Sequence, residues 1–328
     1  MDSLLLLSVG LGLYFAFNIA ANDIGNSIGT AVGSGALNMR RGLFIGAFFA
    51  FLGAVLFGGN VIKTVGDGII PGASFSVVAA FAVILTAAIW ITVTLLRRIP
   101  ISGSDAMVSA VIGVGFVSVG WTGMNFNTVI YIILSWISSP IIGFFSGLLT
   151  YSIIRMFVIR RIKSVSLRDR LEKIFSYLQV FSSSFSAFNV GALDFGMAMG
   201  VLFILSKGDP SILRILGAFG LVLGIIFAGD RVTETIGRRI TELVPTRGFS
   251  AQIAASIVIF VFVYYGMPIS PTQTLVGSVI GVGLAHGTSS LKFDVIKDIG
   301  YTWILTIPAC LVMSAMVYSI LRILLGLL

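Results

Sequence analysis

Charge is what this chain lacks most. Only 10% of its 328 residues are Asp, Glu, Lys or Arg, against roughly 25% in a soluble globular domain. Twenty-one basic and 13 acidic residues are too few to cover a water-facing surface of that size. A soluble enzyme is thereby excluded. Cysteine and histidine occur once each, as Cys310 and His286. A single Cys rules out a disulfide scaffold, and a single His rules out a multi-histidine metal centre or zinc cluster. Proline occurs only eight times beside 38 glycines, so the chain is not collagenous or disordered either.

What is abundant is apolar. Hydrophobic residues make up 57% of the chain and mean hydropathy is +1.06. Spanning the roughly 30 Å hydrocarbon core of a bilayer takes about 20 mostly apolar residues. Runs of that kind lie at 3–21, 42–62, 74–96, 124–158, 174–188, 211–229, 249–267 and 301–328. The run at 124–158 is long enough for a pair broken near Pro140, and 301–328 for a second pair. The expected fold is therefore an all-α polytopic membrane protein of about 10–12 membrane segments. The N-terminal run has an acid at Asp2 and no Lys or Arg before Arg40. It reads as a first span, not as a secretory signal.

Between the spans lie Gly-rich, half-polar stretches at 22–38, 100–120, 189–206 and 268–290. Such segments are tolerated at membrane depth only where protein buries them or they line a cavity. They predict discontinuous or re-entrant helices. The strongly basic stretch runs from Arg155 to Lys173, with seven Lys or Arg and two acids. The positive-inside bias puts it in the cytoplasm, and its tail "LRDRLEKIF" suits a short surface helix. Topology accounts for this charge, so no nucleic-acid partner is expected.

The chain also repeats itself. "AFNIAANDIGNSIG" (16–29) matches "AFNVGALDFGMAMG" (187–200) at 7 of 14 positions with an offset of 171. "PISGSDAMVSAVIGVG" (100–115) matches "PISPTQTLVGSVIGVG" (268–283) at 9 of 16 with an offset of 168. "FGGNVIKTVG" (57–66) resembles "FAGDRVTETIG" (227–237), and Trp136 with Pro140 answers Trp303 with Pro308. Four landmarks in one order divide the chain into a first repeat, 1–158, a basic linker, 159–173, and a second repeat, 174–328. Two homologous halves with interrupted hydrophobic segments are the sequence pointer to a secondary transporter. An odd number of crossings per half makes the repeats inverted and puts the N-terminus outside. An ion channel is the alternative architecture. No enzymatic arrangement is present.

Asp23 and Asp194 occupy equivalent repeat positions inside apolar segments. An intramembrane carboxylate costs several kcal/mol unless it is paired, hydrated or ion-bound. Asn22 and Asn26 accompany Asp23, and Asn189 accompanies Asp194. Carboxylate and amide oxygens of this kind form a hard site suited to Na⁺, and the carboxylates suit protons as well. A second set is Ser102, Ser104 and Asp105, with Ser270, Thr272 and Gln273 as repeat mates. Each set follows Pro and precedes a Gly-rich apolar run, so its hydroxyl caps a helix whose first N–H groups are unpaired. A buried helix N-terminus of this kind suits an oxyanion. Asn60, Lys63, Asp230, Arg231 and Glu234 form a third set, either lining a path or marking a membrane edge. His286 is read as an interfacial residue, with a proton relay as the alternative.

At these motifs the chain resembles the inorganic phosphate transporter family. The family hallmark "GANDVANA" is answered by "AANDIGNSIG" at 20–29, and by "GALDFGMAMG" at 191–200 with Leu193 and Met197 in place of two Asn. Its "PxSTTH" element is answered by "PISGSD" (100–105) and "PISPTQ" (268–273), where Asp105 and Gln273 stand in place of His. The stretch 231–252 is similar to the family's cytoplasm-proximal segment. The resemblance implies symport of phosphate with Na⁺ or H⁺ and no other cofactor. It also implies a homodimer, and a multi-pass position in a prokaryotic plasma membrane. It makes Asn22, Asp23 and Asp194 coupling-ion ligands and Ser102, Ser104, Ser270 and Thr272 phosphate ligands. The missing Asn at 193 and 197 point to fewer Na⁺ ions or to H⁺. Sulfate is the alternative substrate. Phosphate keeps an acidic proton with which to donate to Asp105 or Asp23, and sulfate at neutral pH does not.

Overall fold

The computed structural model describes residues 2–71, 75–97, 99, 101–162, 164–205, 210–239, 244–287 and 293–326. Among the described residues every regular element is a helix. The first half holds α1 (Asp2–Gly33), α2 (Met39–Phe57), the short α3 (Gly59–Lys63), α4 (Val77–Leu96), α5 (Gly103–Ser118) and α6 (Phe126–Phe157). The second holds α7 (Val165–Leu205), α8 (Pro210–Ala228), α9 (Asp230–Arg239), α10 (Pro245–Tyr264), α11 (Pro271–His286) and α12 (Phe293–Leu324). Eight of these are long and apolar enough to cross a membrane: α1, α2, α4, α6, α7, α8, α10 and α12. At 1.5 Å per residue, α5 and α11 reach only about 24 Å, short of a full crossing. Lengths recur in order: α2 and α8 have 19 residues each, α4 and α10 have 20, α5 and α11 have 16, and α6 and α12 have 32.

The bundle wears its apolar side outward. On α6, Ile130, Ile133, Leu134, Ile137, Ile141, Phe145 and Leu149 are exposed, while Ser135, Trp136, Ser139, Gly143 and Gly147 are buried. That inverts the soluble pattern and fits a lipid surround. Inside, the helices close on glycine seams. A methyl on Gly277 would lie 2.2 Å from the Pro140 carbonyl oxygen of α6, and one on Gly53 of α2 only 1.8 Å from the Phe188 carbonyl oxygen of α7. Only a bare backbone allows such approach.

Three expectations about helix continuity are corrected here. The stretches 22–33 and 189–205 are unbroken parts of α1 and α7. Their glycines serve packing: Gly25 backs onto the Val232–Thr233 backbone, and Gly196 onto Val61. Residues 124–158 hold one helix with Pro140 inside it, and the C-terminal run holds one helix with Pro308 inside it, instead of pairs. A membrane helix tolerates an interior proline when neighbouring helices and hydroxyls satisfy the freed backbone. The basic tail is no separate surface helix, because α7 starts at Val165 and continues without a break.

Contacts at three places orient the parts. α1 and α7 run antiparallel, with Gly12 against Leu202 and Ser27 bonded to Ser186 at 3.3 Å. The far end of α5, at Ser118, shares a cavity with Ser3 and Arg322. The far end of α11 meets the linker end of α6, where the Tyr151 hydroxyl and His286 Nδ1 are 2.9 Å apart. The two short helices thus begin together and depart toward opposite ends of the bundle.

Candidate functional site

Halfway along the bundle the polar residues of α1 face α7, α5 and α11. Asn22, Asp23, Asn26 and Asp194 are all buried, none more than 1% exposed. The Asp23 Oδ1 accepts from Asn22 Nδ2 at 2.6 Å and from Asn26 Nδ2 at 3.2 Å. The Asp194 carboxyl lies close enough to that of Asp23 for the two to interact directly. Two carboxylates so close repel unless a proton or a cation lies between them. Four acceptor oxygens of this cluster are buried without a donor: Asn22 Oδ1, Asp23 Oδ2, Asn26 Oδ1 and Asp194 Oδ1. Orphaned buried oxygens are destabilising and call for a ligand. Oxygen-only donors suit a hard cation such as Na⁺, and so the residues fit the expected ion.

The starts of α5 and α11 lock across one another. Ser102 caps α5 by accepting from the Asp105 N–H at 3.1 Å, and Ser270 caps α11 by accepting from the Gln273 N–H at 3.2 Å. The Ser104 hydroxyl donates to the Ile269 carbonyl at 2.5 Å, just ahead of α11. Reciprocally, the Thr272 hydroxyl donates to the Ile101 carbonyl at 3.0 Å, just ahead of α5. Gln273 Nε2 donates to Asp105 Oδ2 at 2.8 Å, while Asp105 Oδ1 is buried without a donor. All six residues lie within the interior.

The lock and the carboxyl cluster are one network. Asn22 Nδ2 also donates to the Ile101 carbonyl at 2.9 Å, and Asn26 Nδ2 to the Thr272 Oγ1 at 2.9 Å. Both amides therefore touch Asp23 on one side and the α5–α11 junction on the other. Of the residues singled out in the sequence, Asn22, Asp23, Asn26 and Asp194 come together, and so do Ser102, Ser104, Asp105, Ser270, Thr272 and Gln273. Asn189 instead donates to the Ser256 carbonyl at 3.0 Å. The third set does not converge there: Asn60, Lys63, Asp230 and Glu234 are exposed, and Asn60 bonds the Tyr264 carbonyl. Pro100 of the first motif lies outside the described residues.

One residue escaped the sequence reading. Gln252 of α10 donates from Nε2 to the Asn26 carbonyl at 3.0 Å and accepts at Oε1 from Thr30 at 2.7 Å. It ties α10 to the polar face of α1. Its signal was a lone amide in an apolar span.

Residues 19–314 match the profile of the Phosphate transporter family. A Pyrococcus abyssi protein with a provisional phosphate permease name is 31% identical over 401 aligned positions, covering 98% of this chain and 99% of its own. A similarly named Pyrococcus furiosus protein is 29% identical, covering 99% and 98%. A solved structure titled the sodium-dependent phosphate transporter is similar with a TM-score of 0.89 and 28% identity, over 98% of this chain and 99% of that one.

Proposed function

This chain belongs to the phosphate transporter family, and from that premise we propose that it is a secondary active transporter carrying inorganic phosphate across the membrane in symport with Na⁺. One observation carries the reading. The Asp23–Asp194 carboxyl pair connects, through the Asn22 and Asn26 amides, to the Ile101 carbonyl and Thr272 hydroxyl that close the α5–α11 junction. The name of the solved relative favours Na⁺ over H⁺ as the coupling ion.

Coupling follows from the bonding. To ligate Na⁺ beside Asp23, Asn22 and Asn26 turn oxygens toward the ion in place of their N–H groups. Their amides then leave Ile101 and Thr272, and the lock between α5 and α11 loosens. An anion entering there meets the N–H groups of Gly103, Ser104 and Thr272, which as first-turn groups have no carbonyl in their own helix. It also meets the hydroxyls of Ser102, Ser104, Ser270 and Thr272. Asp105 Oδ1 accepts the proton that phosphate retains. The cation thus opens and neutralises the place that the anion occupies.

Residues 1–158 and 174–328 are read as inverted repeats around the basic linker, with α5 and α11 as their re-entrant halves. Matched helix lengths, the antiparallel α1–α7 contact and the opposite departures of α5 and α11 support this. Alternating access is then a rocking of the two repeats about the junction. The test is uptake of labelled phosphate into proteoliposomes under an imposed Na⁺ gradient. Wild type is expected to concentrate phosphate, and Asp23→Asn to lose gradient-driven uptake while remaining folded. Full coupled uptake by Asp23→Asn removes the carboxyl pair from the mechanism, and uptake driven by a pH gradient alone assigns the coupling to H⁺.

A further inference from the structure

A cavity of about 230 Å³ opens at the linker end of the bundle, away from the Asp23 cluster. At roughly 30 Å³ per water, it has room for a tetrahedral oxyanion and several waters. Arg155 of α6, Arg168 of α7 and Arg247 of α10 line it, with Glu172 as the acid among them. Three guanidiniums against one carboxylate leave a net positive pocket. His286 on its rim adds no charge near neutrality, because partial burial and the nearby Arg247, Arg155 and Arg168 hold it below the usual histidine range.

The pocket also has unpaired donors. Thr246, 1% exposed, has a buried hydroxyl with no partner, and Arg247 Nε is likewise buried without one. Both lie in the first turn of α10, which starts at Pro245 and whose N-cap residue, Val244, makes no side-chain cap. The Thr246 N–H is taken instead by the Glu172 carboxylate at 2.9 Å. A carboxylate already occupies the position where a helix N-terminus attracts an anion.

We propose that this pocket is a second oxyanion site, in which Arg247, Thr246, Arg155 and Arg168 bind a phosphate group and Glu172 competes with it for the N-terminus of α10. Its place relative to the central site is informative. Gln252, bonded to the Asn26 carbonyl, stands six residues along α10 from Thr246, about 9 Å at helical rise. Ser250 and Gly248 lie between, and Gln179 packs on Gly248 while bonding Ser34 at 2.7 Å. A buried polar lane thus leads from Asn26 to the pocket. That the pocket is the cytoplasmic station of a transport path rests on the function proposed above; that it binds a phosphate group does not.

Equilibrium binding without any gradient separates the two ideas. The purified chain carrying Ser104→Ala and Thr272→Val, to weaken the central site, is titrated with labelled inorganic phosphate in phosphatidylcholine nanodiscs. Saturable binding is expected. It should weaken about tenfold in Arg247→Gln, the loss of a charged hydrogen bond, and recover in part in Arg247→Lys. Glu172→Gln, which keeps an acceptor for the Thr246 N–H, should bind more tightly, a gain that an unfolded chain cannot give. Repeating the titration with phosphatidylglycerol present distinguishes the source of the phosphate group. Competition that depends on Arg247 assigns the site to a lipid headgroup, and indifference assigns it to the free ion. No saturable binding with Glu172→Gln, or binding that ignores Arg247→Gln, overturns the proposal.

Discussion

The reciprocal lock between α5 and α11 makes a quantitative prediction. Ser104→Ala and Thr272→Val each delete one hydroxyl that donates across the junction to the other helix's lead-in carbonyl. The two deletions are not equal. After Thr272→Val, the Ile101 carbonyl keeps Asn22 at 2.9 Å and Asn26 keeps Asp23 at 3.2 Å. Its cost should sit near the ordinary net value of a hydrogen bond, about 1 kcal/mol, or roughly fivefold in the closed-to-open ratio. Ser104 is the donor seen on the Ile269 carbonyl, so its loss leaves a buried acceptor and should cost about 2 kcal/mol, or roughly thirtyfold. Amide exchange reads this directly. The N–H groups of Asp105 and Gln273 are held by the Ser102 and Ser270 caps and exchange only when the junction opens. Mass spectrometry should show both accelerating by those factors, Ser104→Ala more than Thr272→Val, with the two ends responding together. Acceleration confined to the mutated helix refutes the reciprocal lock, and so does a change under twofold in both variants.

Two further outcomes follow from the same geometry. Asp105→Asn removes the carboxylate beside the proposed anion position while leaving an oxygen for the Gln273 Nε2 bond, so competition assays should show sulfate inhibiting phosphate uptake several-fold better than in wild type. Gly277→Ala places a methyl 2.2 Å from the Pro140 carbonyl, an overpacking that typically costs about 1–3 kcal/mol, and thermal unfolding in detergent should show a clear fall in Tm while Gly10→Ala, with open space around it, does not.

Much of this fold was legible because membrane physics writes itself into composition and spacing. Scarce charge and apolar runs of about 20 residues announced the spans. The recurring Pro-Ile-Ser segments announced both caps, which Ser102 and Ser270 make as expected. The continuity of α1 and α7 was not legible. A glycine beside buried polar residues reads the same whether it breaks a helix or lets another backbone approach. Only tertiary contact decides, as at Gly25 against Thr233. The cross-bonding of Ser104 and Thr272 was hidden for a related reason: local sequence marks a hydroxyl at a helix start, but not the carbonyl some 165 residues away that receives it. Gln252 was hidden too, since its partners Asn26 and Thr30 lie more than 220 residues distant.

The pair Asp105 and Gln273 sets an acceptor of one half against an amide of the other, and in the proposed transporter that inequality bears on which anion is carried. Caps and crossed hydroxyls recur on either side of the junction, and although Pro271 lacks the N–H that Gly103 has, both helices turn donors toward a tetrahedral oxyanion. Donors alone do not separate phosphate from sulfate, which share shape and size. At 105 and 273 the repeats set a carboxylate acceptor on α5 against an amide on α11, and the amide fixes only one of the two carboxylate oxygens. The other, Asp105 Oδ1, is buried with nothing to accept. A buried unpaired acceptor beside an anion site penalises any ligand that brings it only further negative oxygen, and rewards one that brings a hydrogen. Phosphate near neutral pH carries that hydrogen and sulfate does not. On the proposed function, selectivity of this kind comes from that unsatisfied oxygen, and it persists only while Gln273 holds the carboxylate in place.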